Sequence, residues 1–197
     1  MRGAETAFRS DEVFDQKQFR RWVDRRTWAD INRYELIDGR IVMTPPAGQL
    51  HASVEAALVH LLREHVTANG LGTVFGSSAG YDLPSGDTLG PDLSYVSSAR
   101  LAAGPRSGPD QFLRVVPNLV VEILSPSTAK RDQTENKDVY AHNGVDEYWI
   151  VDPRRRVVTV YSLTKRTYGT GRSYARASVR SRVLPKLRID VEELFAV

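Results

Sequence analysis

The stretch Leu119-Val-Val-Glu-Ile-Leu124 decides the fold, and turn-forming residues bound it at Pro117-Asn118 and Ser125-Pro126-Ser127. A short apolar run between turns is typical of a strand buried on both faces of a sheet. Alternation along this central strand places Glu122 on the same face as Val120. A buried carboxylate is costly unless it is ion-paired, hydrogen-bonded or bound to a cation. Glu122 is therefore a candidate site residue, although an arginine or a backbone amide could equally satisfy it.

The rest of the chain predicts helices and strands around this strand. Two apolar runs flank Asp38-Gly39, a pair that favours the positive φ angles of a tight hairpin turn. An apolar stripe predicts a long helix over 49–69, and residues from Val13 to Trp28 predict an amphipathic helix over 11–29. We also predict strands at 73–75, 80–83 and 93–96, a loop at 102–109, a polar helix at 129–142, and a hairpin of strands 147–152 and 156–162. The fold class is thus α/β (α+β), a mixed sheet flanked by helices.

Length and composition favour one domain, because 197 residues with 41% hydrophobic content support a single core. We expect it to span 1–197, with an N-terminal helix in 1–30, a central core at 34–163 and a basic C-terminal extension at 164–197. No apolar run is long enough for a membrane span or a signal-peptide core, so we expect a cytoplasmic protein without a membrane partner. The chain has no cysteine, which excludes disulfides and thiol nucleophiles.

The charge distribution is more informative than the formal net charge of +3. Residues 154–188 contain many Lys and Arg but no Asp or Glu, whereas the only Lys or Arg in 41–99 is Arg63. A basic stretch beside an acid-leaning middle segment suits a protein that cuts nucleic acid, although a solvated basic sheet has the same pattern. At low salt, we expect five basic residues to contact phosphates: Arg154, Arg155, Arg156, Lys165 and Arg166.

A second carboxylate, Asp92, follows Pro91 at the start of the strand predicted at 93–96. Carboxylates that converge from two strands can hold Mg²⁺ together with water and phosphate oxygens. The pair Asp92 and Glu122 therefore suggests a site for Mg²⁺ or Mn²⁺. Taken alone, Pro91-Asp92 is an ordinary turn.

Several motifs in order then resemble a known family. The motifs are Tyr34-Glu-Leu-Ile-Asp-Gly39, His51, Pro91-Asp92, Val121-Glu-Ile-Leu-Ser-Pro-Ser127, Lys137 with Tyr140, and Gly144-Val-Asp-Glu-Tyr-Trp-Ile-Val-Asp-Pro153. Together they resemble the Uma-two family of restriction-endonuclease-like proteins, within the PD-(D/E)xK nuclease superfamily. The resemblance implies a restriction-endonuclease-like fold and a metal-dependent endonuclease that acts on DNA. If both strands are cut, a homodimer would supply the second site, although the sequence does not show one.

The resemblance also implies roles for individual residues. Asp92, Glu122 and the backbone carbonyl of Ile123 would bind the metal, Glu35 would lie near it, and His51 would contact phosphate or water. The superfamily lysine is missing, because Leu124 stands two residues after Glu122. The resemblance moves that role to Lys137 on the following helix, with Lys130 as the fallback. From the residues alone, Lys137 fits a solvated helix face better than a catalytic role, and His51 fits a capping or packed histidine equally well.

The sequence is also compatible in part with two other functions. Gly76-Ser-Ser-Ala-Gly80 fits the nucleophile elbow of acyl hydrolases, with Ser78 as nucleophile and His142 as base, but turn and strand residues follow it where the elbow requires a helix. The alternative in a different class is a catalytically inactive nuclease fold that serves in DNA binding or assembly.

Overall fold

A computed structural model describes residues 8–27 and 29–196 of the chain. It contains eleven strands and six helices, in a mixed arrangement that confirms the predicted fold class. The strands are β1 (Arg33–Ile37), β2 (Arg40–Thr44), β3 (Gly72–Gly76), β4 (Tyr81–Asp82), β5 (Thr88–Leu89), β6 (Leu93–Ser97), β7 (Leu119–Ile123), β8 (Glu147–Asp152), β9 (Val157–Thr164), β10 (Thr167–Tyr168) and β11 (Arg172–Tyr174). The helices are α1 (Gln16–Val23), α2 (Gln49–Ala68), α3 (Ser98–Ala103), α4 (Ala129–Gln133), α5 (Glu135–Asn143) and α6 (Val191–Leu194).

The main sheet has seven strands in the order β10-β9-β8-β7-β6-β3, with β11 paired to β9. The predicted central strand is β7, which runs parallel to β8 and antiparallel to β6. All five of its residues are buried, as a strand covered on both faces requires. One face packs against α2, and the other belongs to a cluster that includes Tyr140 of α5 and Tyr148 of β8.

A smaller sheet of four strands, in the order β2-β1-β5-β4, lies apart from the main sheet in the pairing. The hairpin of β1 and β2 turns at Asp38 and Gly39, whose φ angles of 49° and 69° are those expected for an Asp-Gly turn. This sheet contains Glu35. From its position in β1, the side chain of Glu35 points toward the edge of the main sheet.

The predicted helices differ from the observed ones in two places. The N-terminal helix is shorter than 11–29, because Asp15 caps it with a capping box and its last residue is Val23. Trp28, which that prediction included, lies outside the described residues. The polar helix predicted at 129–142 is two helices, because Thr134 leaves helical geometry with φ −127° and ψ −90°. By contrast, α2 matches its prediction and is followed by Gly70 in the left-handed region.

The segment predicted as a basic C-terminal extension contributes to the main core. Its apolar side chains pack with those of α2 and β7, and eight of them are buried: Tyr174, Val179, Leu184, Leu187, Ile189, Val191, Leu194 and Phe195. Basic residues between them point outward, which is why the sequence reads as basic while the segment is structural. Over the described ranges, none of the helices combines the length and the apolar character that a membrane crossing needs.

The Gly76–Gly80 segment does not form a nucleophile elbow. It leads through a turn into β4, and Ser78 is exposed. An elbow presents its serine between a strand and a helix, so the acyl-hydrolase alternative has no structural basis.

Candidate active site

Two carboxylates meet where β6 begins and β7 ends. Leu93 pairs with Val121 in the antiparallel ladder, so Asp92, which precedes β6, lies beside Glu122. The amide of Asp92 donates to Glu122 Oε2 at 3.3 Å, and the amide of Ile123 donates to Asp92 Oδ2 at 2.8 Å. The two side chains are buried, with residue exposures of 4% each. The structure thus brings the predicted pair together.

His51 and Glu35 join this pair from other elements. His51 lies in the first turn of α2 and places its Nε2 3.0 Å from Asp92 Oδ2. Glu35 is buried in β1, and its Oε1 accepts a hydrogen bond of 3.0 Å from the amide of Gly90. Four residues predicted from distant parts of the sequence therefore line one pocket.

Two arginines that the sequence reasoning missed supply positive charge to the pocket. Arg33 donates through Nη2 to Asp92 Oδ1 at 2.9 Å and through Nη1 to the carbonyl of Gly90 at 2.6 Å. Arg131 donates through Nη2 to Glu35 Oε2 at 3.1 Å and to Thr44 Oγ1 at 2.7 Å. Each arginine thus pairs with a buried carboxylate, which offsets part of the cost of burying that charge.

The segment after β7 presents Asp132 and Asn136 to the pocket, and it carries Tyr140, which bonds to Glu122. Asn136 donates to Asp132 Oδ1 at 3.0 Å, and the hydroxyl of Tyr140 donates to Glu122 Oε1 at 3.1 Å. All three are buried, with Asn136 only 1% exposed. The sequence reasoning noted Tyr140 only within a motif and missed Asp132 and Asn136.

The structure does not bring Lys137 to this cluster. Successive helix residues differ by about 100° around the axis, so Lys137 points away from the face that Asn136 and Tyr140 share. Its ammonium lies 3.8 Å from the centroid of the Tyr161 ring, a cation–π contact. The fallback residue Lys130 is exposed, and neither lysine is among the residues that line the pocket. The arrangement therefore gives no support to a catalytic role for either lysine.

Burial and charge perturb the ionisation of the pocket residues. Burial, followed by the charges of Asp92 and other nearby carboxylates, raises the pKa of Glu122 well above its ordinary value. Burial likewise raises the pKa of Asp132 to about 7. Groups with strongly raised pKa values next to a charged carboxylate are typical of functional sites.

The ionisation of Asp92 is shifted in the opposite direction. Burial alone would raise its pKa, but the hydrogen bond from His51, the charge of Arg33 and the amide of Ile123 together lower it. The same contact acts on His51: burial lowers its pKa, and Asp92 outweighs burial, so the net shift is upward. The two residues therefore favour a charged pair.

The pocket itself is small, with a cavity volume of about 20 Å³. That is close to the volume that a single water molecule needs. Its walls come from β1, the loop after β2, α2, the start of β6, β7 and the two helices that follow β7. The lining residues are Arg33, Glu35, Thr44, Pro45, Ala47, His51, Gly90, Asp92, Glu122, Ser125, Thr128, Arg131, Asp132 and Asn136.

The donor set can be tested against a divalent cation. Within 8–27 and 29–196, no three His, Cys, Asp or Glu side chains converge closely enough to ligate one ion. Mg²⁺ is commonly held by only one or two carboxylates, with water and substrate phosphate as further ligands. Asp92 and Glu122 fit this smaller requirement, and the carbonyl of Ile123 is the backbone oxygen of the adjoining strand residue.

The five basic residues expected to contact phosphates lie at two ends of the main sheet. Arg154, Arg155 and Arg156 form the turn between β8 and β9, at the end of the sheet where Glu122 lies, because β8 runs parallel to β7. Lys165 and Arg166 form the turn between β9 and β10 at the opposite end, and Arg166 donates to the carbonyl of His142 at 2.9 Å. Only the first group shares an edge with the carboxylates.

Comparisons with known proteins identify the family and the fold of the chain. The family model "Uma2: Putative restriction endonuclease" matches residues 17–192. The crystal structure of a putative nuclease belonging to DUF820 from Anabaena variabilis superposes on this chain with a TM-score of 0.75 at 19% sequence identity. The match covers 93% of this chain and 98% of that chain. No curated protein matches the chain. The structural likeness shows a shared fold, and the match over most of the sequence shows that the chain belongs to the Uma2 family of restriction-endonuclease-like proteins.

Proposed function

We propose that this chain is a metal-dependent endonuclease that hydrolyses phosphodiester bonds in DNA. The observation that carries the proposal is the meeting of Asp92 and Glu122 at one sheet edge, with His51 bonded to Asp92. Membership of a restriction-endonuclease family supports nuclease chemistry. The nucleic-acid partner follows from that chemistry and from the basic turn at the same edge.

The metal of the proposal is Mg²⁺ or Mn²⁺. Asp92, Glu122 and the carbonyl of Ile123 are the oxygen donors that would hold it. When bound, the ion would supply charge stabilisation to the phosphate and lower the pKa of a water molecule. The raised pKa of Glu122 supports this assignment, because its carboxylate lies among like charges that a cation would offset.

The protein residues orient the reacting groups. His51 and the amide of Ile123 both bind Asp92 Oδ2, and Arg33 binds Oδ1, so the carboxylate has a fixed orientation. Tyr140 and the amide of Asp92 fix Glu122 in the same way. Preorganised groups of this kind lower a barrier because they need no reorientation during the reaction. In the proposal, Glu35 holds a water molecule near the same oxygens.

Substrate DNA would bind across the sheet edge that carries the pocket. Arg154 and Arg155 are exposed there, and Asp152 accepts hydrogen bonds from both of their amides, which fixes the turn. Contacts from such residues to phosphates give affinity without sequence information. A homodimer that places two such edges on one duplex would cut both strands.

Nicking of supercoiled plasmid tests the proposal, with Mg²⁺ or Mn²⁺ at low salt. Glu122→Gln keeps the size of the side chain and removes its charge, so it is expected to abolish nicking. Glu147→Gln is the matched control, because Glu147 is an equally buried glutamate of the neighbouring strand and pairs with Leu119 at the far end of β7. Nicking that persists in Glu122→Gln after repurification would refute the assigned site.

The alternative is a catalytically inactive module that binds DNA. Its structural support is the internal pairing of the pocket carboxylates, since Arg33 and Arg131 already neutralise Asp92 and Glu35. Salt-dependent DNA binding by the wild-type protein without nicking under either metal would favour this alternative. Absence of both activities would contradict both functions.

A further inference from the structure

We propose that Arg131 is the positively charged residue that contacts the scissile phosphate in this pocket. The inference rests on the proposed nuclease function and assigns to Arg131 the cationic role that the family resemblance implies for Lys137. It concerns binding of an anion and involves no covalent step, because a guanidinium keeps its protons throughout.

The first argument is an unsatisfied donor. The side chain of Arg131 is 11% exposed, and its Nη2 is engaged with Glu35 and Thr44. Its Nε is buried and has no hydrogen-bond partner in the described part of the chain. A buried donor without a partner is rare and costs free energy, because it loses its bond to water. An oxygen atom from a ligand in the pocket would satisfy it.

The second argument is the position of this donor. Arg131 lines the same cavity as Asp92 and Glu122. A guanidinium is planar, carries five N–H donors and matches the geometry of phosphate oxygens. The cavity of about 20 Å³ admits a group the size of one oxygen atom, so a phosphate at its mouth could insert a single oxygen.

The third argument compares the other cations of the site. Both terminal nitrogens of Arg33 are hydrogen-bonded: Nη2 donates to Asp92 and Nη1 donates to the carbonyl of Gly90. Arg33 therefore positions a carboxylate. Lys137 lies against Tyr161. Of these three residues, Arg131 is the one that both lines the pocket and has an N–H donor, Nε, without a hydrogen-bond partner.

Asn136 provides a second unpaired atom in the same pocket. It is 1% exposed, and its Oδ1 has no hydrogen-bond partner among the described residues although its Nδ2 is bonded to Asp132. Because residues with an unpaired acceptor and an unpaired donor line the same cavity, the pocket suits a ligand that brings both an anionic oxygen and a proton donor. A phosphodiester with an attending water molecule has this combination.

DNA affinity and its salt dependence test the proposal with a fluorescein-labelled duplex in Ca²⁺. Removing Arg131 alone would leave Glu35 buried without its partner, so the informative comparison is Glu35→Gln/Arg131→Gln against Glu35→Gln alone. Loss of one charged phosphate contact is expected to weaken binding about ten- to hundredfold. The slope of log Kd against log salt is expected to fall by about one.

Three further measurements make the result decisive. Arg131→Lys keeps the charge and should recover the salt slope while losing part of the affinity. Arg100→Gln is the matched control, because Arg100 forms a comparable 2.7 Å ion pair with Asp146 away from the pocket. Thermal unfolding of each variant shows whether it is folded.

Two outcomes would overturn the proposal in distinguishable ways. If the wild-type protein binds and nicks DNA, but the double variant matches Glu35→Gln in affinity and salt slope, Arg131 does not contact phosphate. Loss of the slope in Lys137→Ala instead would return the role to that lysine. If the wild-type protein neither binds nor nicks DNA, the proposed function fails and this inference fails with it.

Discussion

Replacement of Asp132 by asparagine should change how the stability of the protein depends on pH. Burial raises the pKa of Asp132 from 3.8 to about 7 in the folded protein. A group whose pKa is raised on folding stabilises the folded state below its unfolded pKa, and this stabilisation is lost as pH rises through the folded pKa. The wild-type protein should therefore lose stability between about pH 4 and pH 8, relative to a variant that cannot ionise at this position.

The magnitude follows from the shift. A difference of one pKa unit corresponds to about 1.4 kcal/mol, so the shift of Asp132 amounts to at most about 4 kcal/mol above pH 8. Asparagine keeps an oxygen that can accept the 3.0 Å hydrogen bond from Asn136 and carries no charge at any pH. Removing the charge also relieves Glu122, whose pKa Asp132 helps to raise, and this contribution has the same sign.

Urea unfolding at pH 5, 6, 7 and 8, in the presence of EDTA, measures this difference. The free energy of unfolding of Asp132→Asn minus that of the wild-type protein should increase steadily with pH. Apart from Glu122, the other ionisable groups should change little between the two proteins, so the subtraction isolates Asp132 together with its effect on Glu122. Parallel pH profiles for the two proteins would refute the reasoning, and so would a difference that decreases with pH.

Three further substitutions have defined outcomes in thermal or urea unfolding. Gly72→Ala should cost more than about 2 kcal/mol, because Gly72 has φ +149° and an added Cβ would lie 2.2 Å from the carbonyl oxygen of Val96. Leu58→Ala, at a fully buried position of α2, should cost about 2–5 kcal/mol and leave nicking per folded molecule unchanged. Tyr140→Phe removes the 3.1 Å hydrogen bond to Glu122 and should cost about 1–3 kcal/mol. A stability equal to that of the wild-type protein would contradict any of these.

The parts of the fold that depend on local pattern were predictable. The apolar run at 119–124 predicted the central strand, alternation along it predicted the face on which Glu122 lies, and Asp38-Gly39 predicted the hairpin turn. Such features depend on short-range geometry, which a single sequence contains. The short strand β5 and the helix α3 were missed, because neither has enough residues to show a period.

Three carboxylates of the candidate site, Glu35, Asp92 and Glu122, were predictable, but Asp132 and the two arginines were not. Glu122 stands out because apolar residues surround it in the sequence, whereas Arg131 is one polar residue among many in 129–142. Which polar residue of such a helix points inward depends on tertiary contacts. Several buried carboxylates need compensating charge, but sequence proximity does not identify its source, because Arg33 pairs with Asp92 across 59 residues and Arg131 pairs with Glu35 across 96. The one-residue difference between Asn136 and Lys137 depends on the rotation of α5, which the sequence does not specify.

The break at Thr134 has a consequence for what this short segment can offer. On an uninterrupted helix, residues 131 and 136 would be about 140° apart around the axis, so their side chains would point in different directions. Because the chain leaves helical geometry at Thr134, Arg131 and Asn136 both line the same cavity. Two short helices thus supply a donor and an acceptor from a stretch that one helix would have divided between the interior and the solvent. A redesign that made this segment one continuous helix would remove either Arg131 or Asn136 from the cavity.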